Sequence, residues 1–243
     1  MDNPKISIIT VCFNAEKVIE RTLKSIANQI NKDFEYIVVD GASTDNTMKM
    51  VKKTTPFAIT KSEKDNGIYD AMNKAIDIAT GDYIWFINAG DAISDENTTN
   101  TIIKAISDSS KVPDIIYGDT VIIDHNDNEL GLRRLRPPKQ LSANSFKKGM
   151  LVCHQSILVN RKIVMKYNLN YRFSSDFDWC INCIKKSDYN LFIDMPLSKY
   201  LNEGTTTSNH KKSLLERFSI MSKHYGLIPT ILNHISFLFV RER

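Results

Sequence analysis

Tyr36-Ile37-Val38-Val39-Asp40-Gly41-Ala42-Ser43-Thr44-Asp45-Asn46-Thr47 carries an apolar run straight into turn formers and helix-capping residues. Four apolar residues without polar alternation read as a strand covered on both faces. Gly41 breaks the run, and Ser43, Asp45 and Asn46 supply side-chain acceptors for the free N–H groups that open a helix. A buried strand turning into a helix is the building unit of a parallel sheet.

The same unit repeats outward from this stretch. Ile6 to Val11 is apolar, and after Phe13-Asn14 a helical pattern places Val18, Ile19, Leu23 and Ile26 on one face. Phe57 to Thr60 forms a third candidate strand, followed by a helix over Ile68 to Ile78. Tyr83-Ile84-Trp85-Phe86-Ile87 is a fourth, running into Asn88-Ala89-Gly90-Asp91. Four alternations predict an α/β fold, a Rossmann-like, mostly parallel sheet flanked by helices. Beyond Pro113 the texture changes. Ile115–Tyr117 and Thr120–Ile123 read as separate strands, with a hairpin turn at His125–Asn128 and a basic loop over Arg133–Lys148. A helix is expected over Asp176–Lys186, a short strand over Leu191–Met195 ending at Pro196, and helix again from Ser213. The chain divides into residues 1–112, residues 113–210 of the same domain, and a C-terminal helical extension over 211–243.

With 243 residues, 42% hydrophobic and 25% charged, the chain has the make-up of a globular protein with a full core. Its net charge of +4 is too small for a dedicated nucleic-acid binder. The basic residues gather in two places, Arg133 to Lys148 and Lys211 to Arg243, where they either face solvent or attract phosphates or an anionic membrane. Cys180 and Cys183 stand three apart, but no second pair completes a zinc site, so they and Cys12 and Cys153 read as core thiols. No leader pattern and no membrane-spanning run is visible, so the expected location is the cytoplasm, with the inner face of the membrane as a variant. Leu227 to Phe239 is apolar on more than one side, which suits core packing, a homo-oligomer contact or a peripheral membrane contact.

Polar residues cluster where strands end. Thr10 and Asn14 bracket the first strand end; Asp40, Ser43 and Asp45 follow the second; Asp65, Asn66 and Gly67 the third; Asn88 and Asp91 the fourth. Ligands of open parallel sheets bind at that edge. No glycine-rich phosphate loop is present. The edge is acidic, which suits hydroxyl and ring N–H donors and leaves phosphate to a cation or a basic side chain.

Four motifs stand in order: Ile9-Thr10-Val11-Cys12-Phe13-Asn14; Val38 to Thr47; Lys64-Asp65-Asn66-Gly67-Ile68-Tyr69-Asp70-Ala71-Met72-Asn73-Lys74-Ala75; and Ala79 to Asp91. Together they resemble the family 2 glycosyltransferases, enzymes of GT-A fold, over residues 6 to 91 almost without a gap. The resemblance implies that Thr10 and Asp40 hold the base and ribose of a nucleotide-sugar donor, that Asp65 and Gly67 border the base, and that Asn73 positions the donor. Asn14, Ser43, Asn88 and Asp91 complete the donor set. The family's aspartate-x-aspartate element falls at Asn88-Ala89-Gly90, which leaves Asp91 as the acid for a divalent cation, Mg²⁺ or Mn²⁺, held weakly. Ser174-Ser175-Asp176-Phe177-Asp178-Trp179 matches the element that carries the base. Asp176 is the expected catalytic base, with His154 and Asp178 on the acceptor side; helix capping is the plain alternative for the two acids. Asn202 to Ser208 reads first as a plain linker and second as a loop that brings His210 or Lys211 to the phosphates. The implied activity is inverting transfer from a nucleotide sugar, UDP first, to a hydroxyl of a glycan or lipid-linked acceptor in surface-polysaccharide synthesis. A nucleotide-sugar-binding protein without catalysis and a nucleotidyltransferase are the alternatives.

Overall fold

The computed structural model of the chain describes residues 6–202 and 210–240. Among them nine strands form one sheet. In chain order they are β1 (Ile6–Cys12), β2 (Phe34–Asp40), β3 (Ile59–Ser62), β4 (Tyr83–Phe86), β5 (Ala92–Ile93), β6 (Ile115–Ile123), β7 (Glu129–Leu132), β8 (Ile157–Asn160) and β9 (Asn190–Leu201). Across the sheet they run β3-β2-β1-β4-β8-β6-β9-β5, with β7 paired to β6. The helices are α1 (Ile19–Ala27), α2 (Thr47–Thr54), α3 (Ile68–Ile78), α4 (Thr98–Ser107), α5 (Ser175–Lys186), α6 (His210–Tyr225) and α7 (Leu227–Val240).

β1 is buried along its whole length because both faces are covered. Ile9 and Val11 point into a core shared with α3 and α5, and Ile6 and Ile8 into one shared with α1 and α4. β1 pairs in parallel with β2 and β4, and β2 with β3, so four strand ends come out on one edge. The second half departs from parallel order: β8 lies antiparallel between β4 and β6, while β9 returns parallel to β6.

The two short strands expected between Ile115 and Ile123 are one strand. Gly118 sits in its middle, where a Cβ would come within 2.6 Å of Met195 O, and the register against β9 slips around Asp119. The same slip accommodates Pro196, which has no N–H to give the ladder, so β9 runs through the proline instead of ending there. β8, only four residues long, and α4 had no reading in the sequence. Among the described residues no helix is long and apolar enough to cross a membrane.

Candidate active site

The loops after β1, β2 and β3 are tied to one another. Asn14, at φ +46°, accepts from Thr44 N at 2.9 Å and donates its own N–H to Ser43 Oγ at 2.8 Å. Asp40 is fully buried. It accepts from Ser43 N at 3.0 Å, Ser62 Oγ at 2.6 Å, the Ser43 hydroxyl and the Cys12 thiol. A carboxylate out of water needs such a set of donors. Burial, and then the neighbouring Asp40 charge, hold the Cys12 thiol far above its ordinary range, so it stays protonated. Asp65 accepts from Gly67 N at 2.8 Å, and its other oxygen lies over Gly41, where a Cβ would come within 2.6 Å. Phe13, 63% exposed, borders the same glycine. Phe13, Gly41 and Asp65 thus make an open shelf at the strand ends.

Two expected donor contacts face elsewhere. Thr10 is fully buried; its hydroxyl donates to Ile87 O at 2.7 Å and accepts from Tyr36 OH at 3.0 Å. Asn73 gives both ends of its amide to the backbone of Tyr167, at 3.0 and 2.7 Å. Each is a brace between elements, with its polar atoms already satisfied.

A cleft of about 330 Å³ lies between the end of β4 and the start of α5. Asn88 and Asp91 enter it from β4, Tyr69 from α3, His154 and Gln155 from the segment before β8, Asp176 from α5, and Arg217 from α6. Asp176 Oδ1 accepts from Tyr69 OH at 3.1 Å and from Phe177 N at 2.9 Å. Oδ2 has no donor among the described residues. The start of α5 is fixed from outside: Glu216 of α6 accepts the N–H groups of Arg172, Phe173 and Ser174 at 2.8, 2.8 and 2.9 Å. These are the N–H groups of the N-cap Ser174 and of the two residues that lead into the helix. His154 is bound to Tyr167 OH at 2.6 Å and stacked on Phe86. Burial drops its pKa to about 4, with the Asp176 charge offsetting only part, so the ring is neutral near pH 7. Two buried polar atoms facing this cleft have no partner, Asn88 Oδ1 and Arg217 Nε. A buried orphan calls for a partner that the described residues do not supply.

The profile of glycosyl transferase family 2 matches residues 7–167. The chain belongs to that family. A PGL/p-HBAD biosynthesis glycosyltransferase of Mycobacterium bovis is 33% identical over 190 residues, which cover 75% of this chain and 71% of that one. TarS of S. aureus, solved with UDP, aligns with a TM-score of 0.71 at 17% identity, over 90% of this chain and 64% of that chain. Glucosyl-3-phosphoglycerate synthase of Mycobacterium tuberculosis, solved with Mn²⁺, UDP and glucosyl-3-phosphoglycerate, aligns at 0.62 with 15% identity, over 88% and 80%. The fold is GT-A, and this family 2 member is a glycosyltransferase.

Two expectations for this glycosyltransferase need correction. Asp91, the expected metal ligand, is 5% exposed, and both its oxygens are occupied, by Gln155 Nε2 at 2.7 Å and Leu201 N at 3.0 Å. Burial raises its pKa to about 7, against the pull of those two hydrogen bonds. Among the described residues no three His, Cys, Asp or Glu side chains are grouped to hold a metal ion. The residues present do not fit a resident divalent cation, which takes six or more oxygens. Asp178 turns away from the cleft. It accepts from His224 Nε2 at 2.7 Å and Asn182 Nδ2 at 3.0 Å. Burial opposes its ionisation, but His224 and Lys223 prevail and hold it below the usual carboxylate range. Lys185 donates to His224 Nδ1, which fixes the proton of that ring on Nε2. Of the expected phosphate loop, residues 203–209 lie outside the described residues. Sequence reading gave no site role to Tyr69, Gln155 and Arg172, and placed Arg133 and Arg217 only within the two basic clusters. Tyr69 stood inside a quoted motif, and Arg172 stood four residues before Asp176.

Proposed function

We propose that this enzyme transfers a sugar, with inversion, from a UDP-sugar to a hydroxyl of a glycan or lipid-linked acceptor, as a step in surface-polysaccharide or glycolipid assembly. The observation that carries this reading is Asp176. One oxygen is fastened by Tyr69 and the backbone, and the other is left open to the cleft. A positioned carboxylate with one free oxygen is what a general base requires. It takes the proton of the acceptor hydroxyl while that oxygen bonds to the anomeric carbon. The bond to the donor diphosphate breaks on the opposite face, through an oxocarbenium-like state. The base of the nucleotide rests on the shelf of Phe13 and Asp65, beside Gly67, with Asp40, Ser43 and Asn14 holding the loops in register. Asn88 Oδ1 accepts a sugar hydroxyl, and neutral His154 lines the acceptor wall. Thr10 and Asn73 serve as braces.

A lipid-linked acceptor is supported by α6 and α7. Leu215, Ile228 and Leu232 are 72, 72 and 62% exposed. Six Lys or Arg stand against two Glu over residues 210–243, a surplus equal to the net +4 of the whole chain. An apolar face within a basic segment suits an anionic membrane surface, and α7 adds little to the core that the sequence also allowed it.

The test is a thermal-shift screen of UDP-, GDP- and dTDP-sugars, followed by transfer assays on the best donor with wild type and Asp176→Asn. Stabilisation by one donor class with turnover lost in the variant supports the reading. Full activity in the variant overturns Asp176 as base.

A further inference from the structure

Transfer from a nucleotide sugar releases a nucleoside diphosphate, whose leaving oxygen takes the electron pair of the broken bond to the anomeric carbon. That charge needs a positive partner. The end of β4 does not supply a metal site. Asn88 is neutral, and Asp91 is consumed by Gln155 and Leu201. Gly90 is at φ +100°, with a would-be Cβ 3.2 Å from Leu201 Cδ2 and 3.5 Å from Val18 Cβ. A carboxylate at position 90 would force this turn into a conformation that L residues rarely adopt. The acid is therefore excluded by the backbone as well as missing from the sequence.

The cleft beside that turn is lined by three arginines, Arg133, Arg172 and Arg217. Arg133 Nη1 is anchored on Leu135 O and Met150 O at 3.1 and 2.6 Å. Arg217 Nε is buried and unpartnered. Arg172 makes no ion pair among the described residues. Asp176, the acid nearest Arg172 in sequence, gives one of its two oxygens to Tyr69 and Phe177, and Glu216, next to Arg217, has both oxygens engaged by backbone N–H groups. Arg217, with its buried and unpartnered Nε, and the exposed Arg172 line one cleft, and a guanidinium offers a fork of donors that matches phosphate oxygens.

We propose that Arg172 and Arg217, braced by Arg133, bind the diphosphate of the donor and neutralise it as it leaves, so that this glycosyltransferase works without a resident divalent cation. The proposal rests on the nucleotide-sugar reading above and assigns the part that reading leaves open. The acceptor hydroxyl proton goes to Asp176, the new C–O bond replaces the old one, and the departing oxygen gains its charge beside the arginines.

Calorimetric titration with UDP, GDP and dTDP, and with the matching nucleosides, tests it in EDTA and again with excess Mn²⁺ or Mg²⁺. The expected result is a diphosphate bound at least about ten-fold tighter than its nucleoside in EDTA, changed less than about three-fold by either metal. Arg217→Gln and Arg172→Gln should each lower diphosphate affinity about ten- to hundred-fold, the range of a lost charge-assisted contact. Nucleoside affinity should stay within about two-fold, which shows that the variants are folded, and Arg217→Lys should fall between. A ten-fold or greater gain on adding Mn²⁺, or Gln variants that bind like wild type, overturns the proposal. Nucleoside binding without any preference for the diphosphate overturns the arginine wall alone. If no nucleoside diphosphate binds, the nucleotide-sugar reading falls and takes the wall with it.

Discussion

At the ends of β1, β2 and β3, Asn14, Asp40 and Ser43 direct their polar atoms at each other and at nearby backbone. Across the cleft, Asp176, Arg172 and Arg217 keep polar atoms without a protein partner. The first region is a preassembled frame, in which carboxylates fix the shape of loops. The second is held from behind, by Tyr69 and Glu216, so that its front remains unengaged. An acidic side chain at a strand end is therefore no measure of what touches the ligand. The count of its unsatisfied atoms is the better guide.

The comparison breaks first at Asp176. Asp176→Asn keeps the shape and removes the base, so turnover should fall about 10²- to 10⁴-fold while UDP affinity in a titration stays within about two-fold. Loss of UDP binding in parallel would make Asp176 part of the frame. Asp40→Ala should do the reverse. It leaves Ser43 and Ser62 without their acceptor inside the protein, a cost of about 2–4 kcal/mol, read as a lower unfolding midpoint in denaturant before any effect on turnover.

How much of this was legible follows the same division. The parallel quartet and its loops could be read because each strand, turn and cap is a local pattern: the apolar run at Val38, the turn at Gly41, the acceptors at Ser43 and Asp45. Asp176 was legible through the resemblance of its segment. Arg217 could be read only as one of a basic cluster that faces solvent or attracts phosphates, because its place at the cleft depends on the packing of α6 against the start of α5. Asp91 misled for the matching reason: its type suggested a metal, while its partners Gln155 and Leu201 come from 64 and 110 residues away.

A finer test concerns pH. The folded pKa of Asp91, about 7, lies above its ordinary 3.8. Between these values the folded chain holds a proton that the unfolded chain has released, so stability is lost as pH rises from about 4 to about 7. His154 works in the opposite direction. Its folded value of about 4 lies below 6.5, so its contribution is lost as pH falls through that window. Asp91→Asn should therefore gain stability relative to wild type as pH rises toward 7, by at most about 1.4 kcal/mol per unit. Unfolding midpoints across the window decide it, and a constant difference would contradict the burial argument. The smallest effect on the fold is expected on α7. The double change Ile228→Glu and Leu232→Glu should move stability by less than about 0.5 kcal/mol and yet reduce co-sedimentation with phosphatidylglycerol vesicles. Unchanged sedimentation would remove the membrane from the picture.

Glu216 grips the three N–H groups ahead of Asp176, and this has a consequence for where the working unit stops. The family profile spans residues 7–167 and includes every strand-end motif, but neither Asp176 nor the helix that aims it. A fragment trimmed to those limits would keep Phe13, Gly41 and Asp65 but lack Asp176, the proposed base. Under the role proposed for Asp176, the last helices serve the reaction, and a chimera that exchanges acceptor preference between relatives should carry α5 and α6 across together.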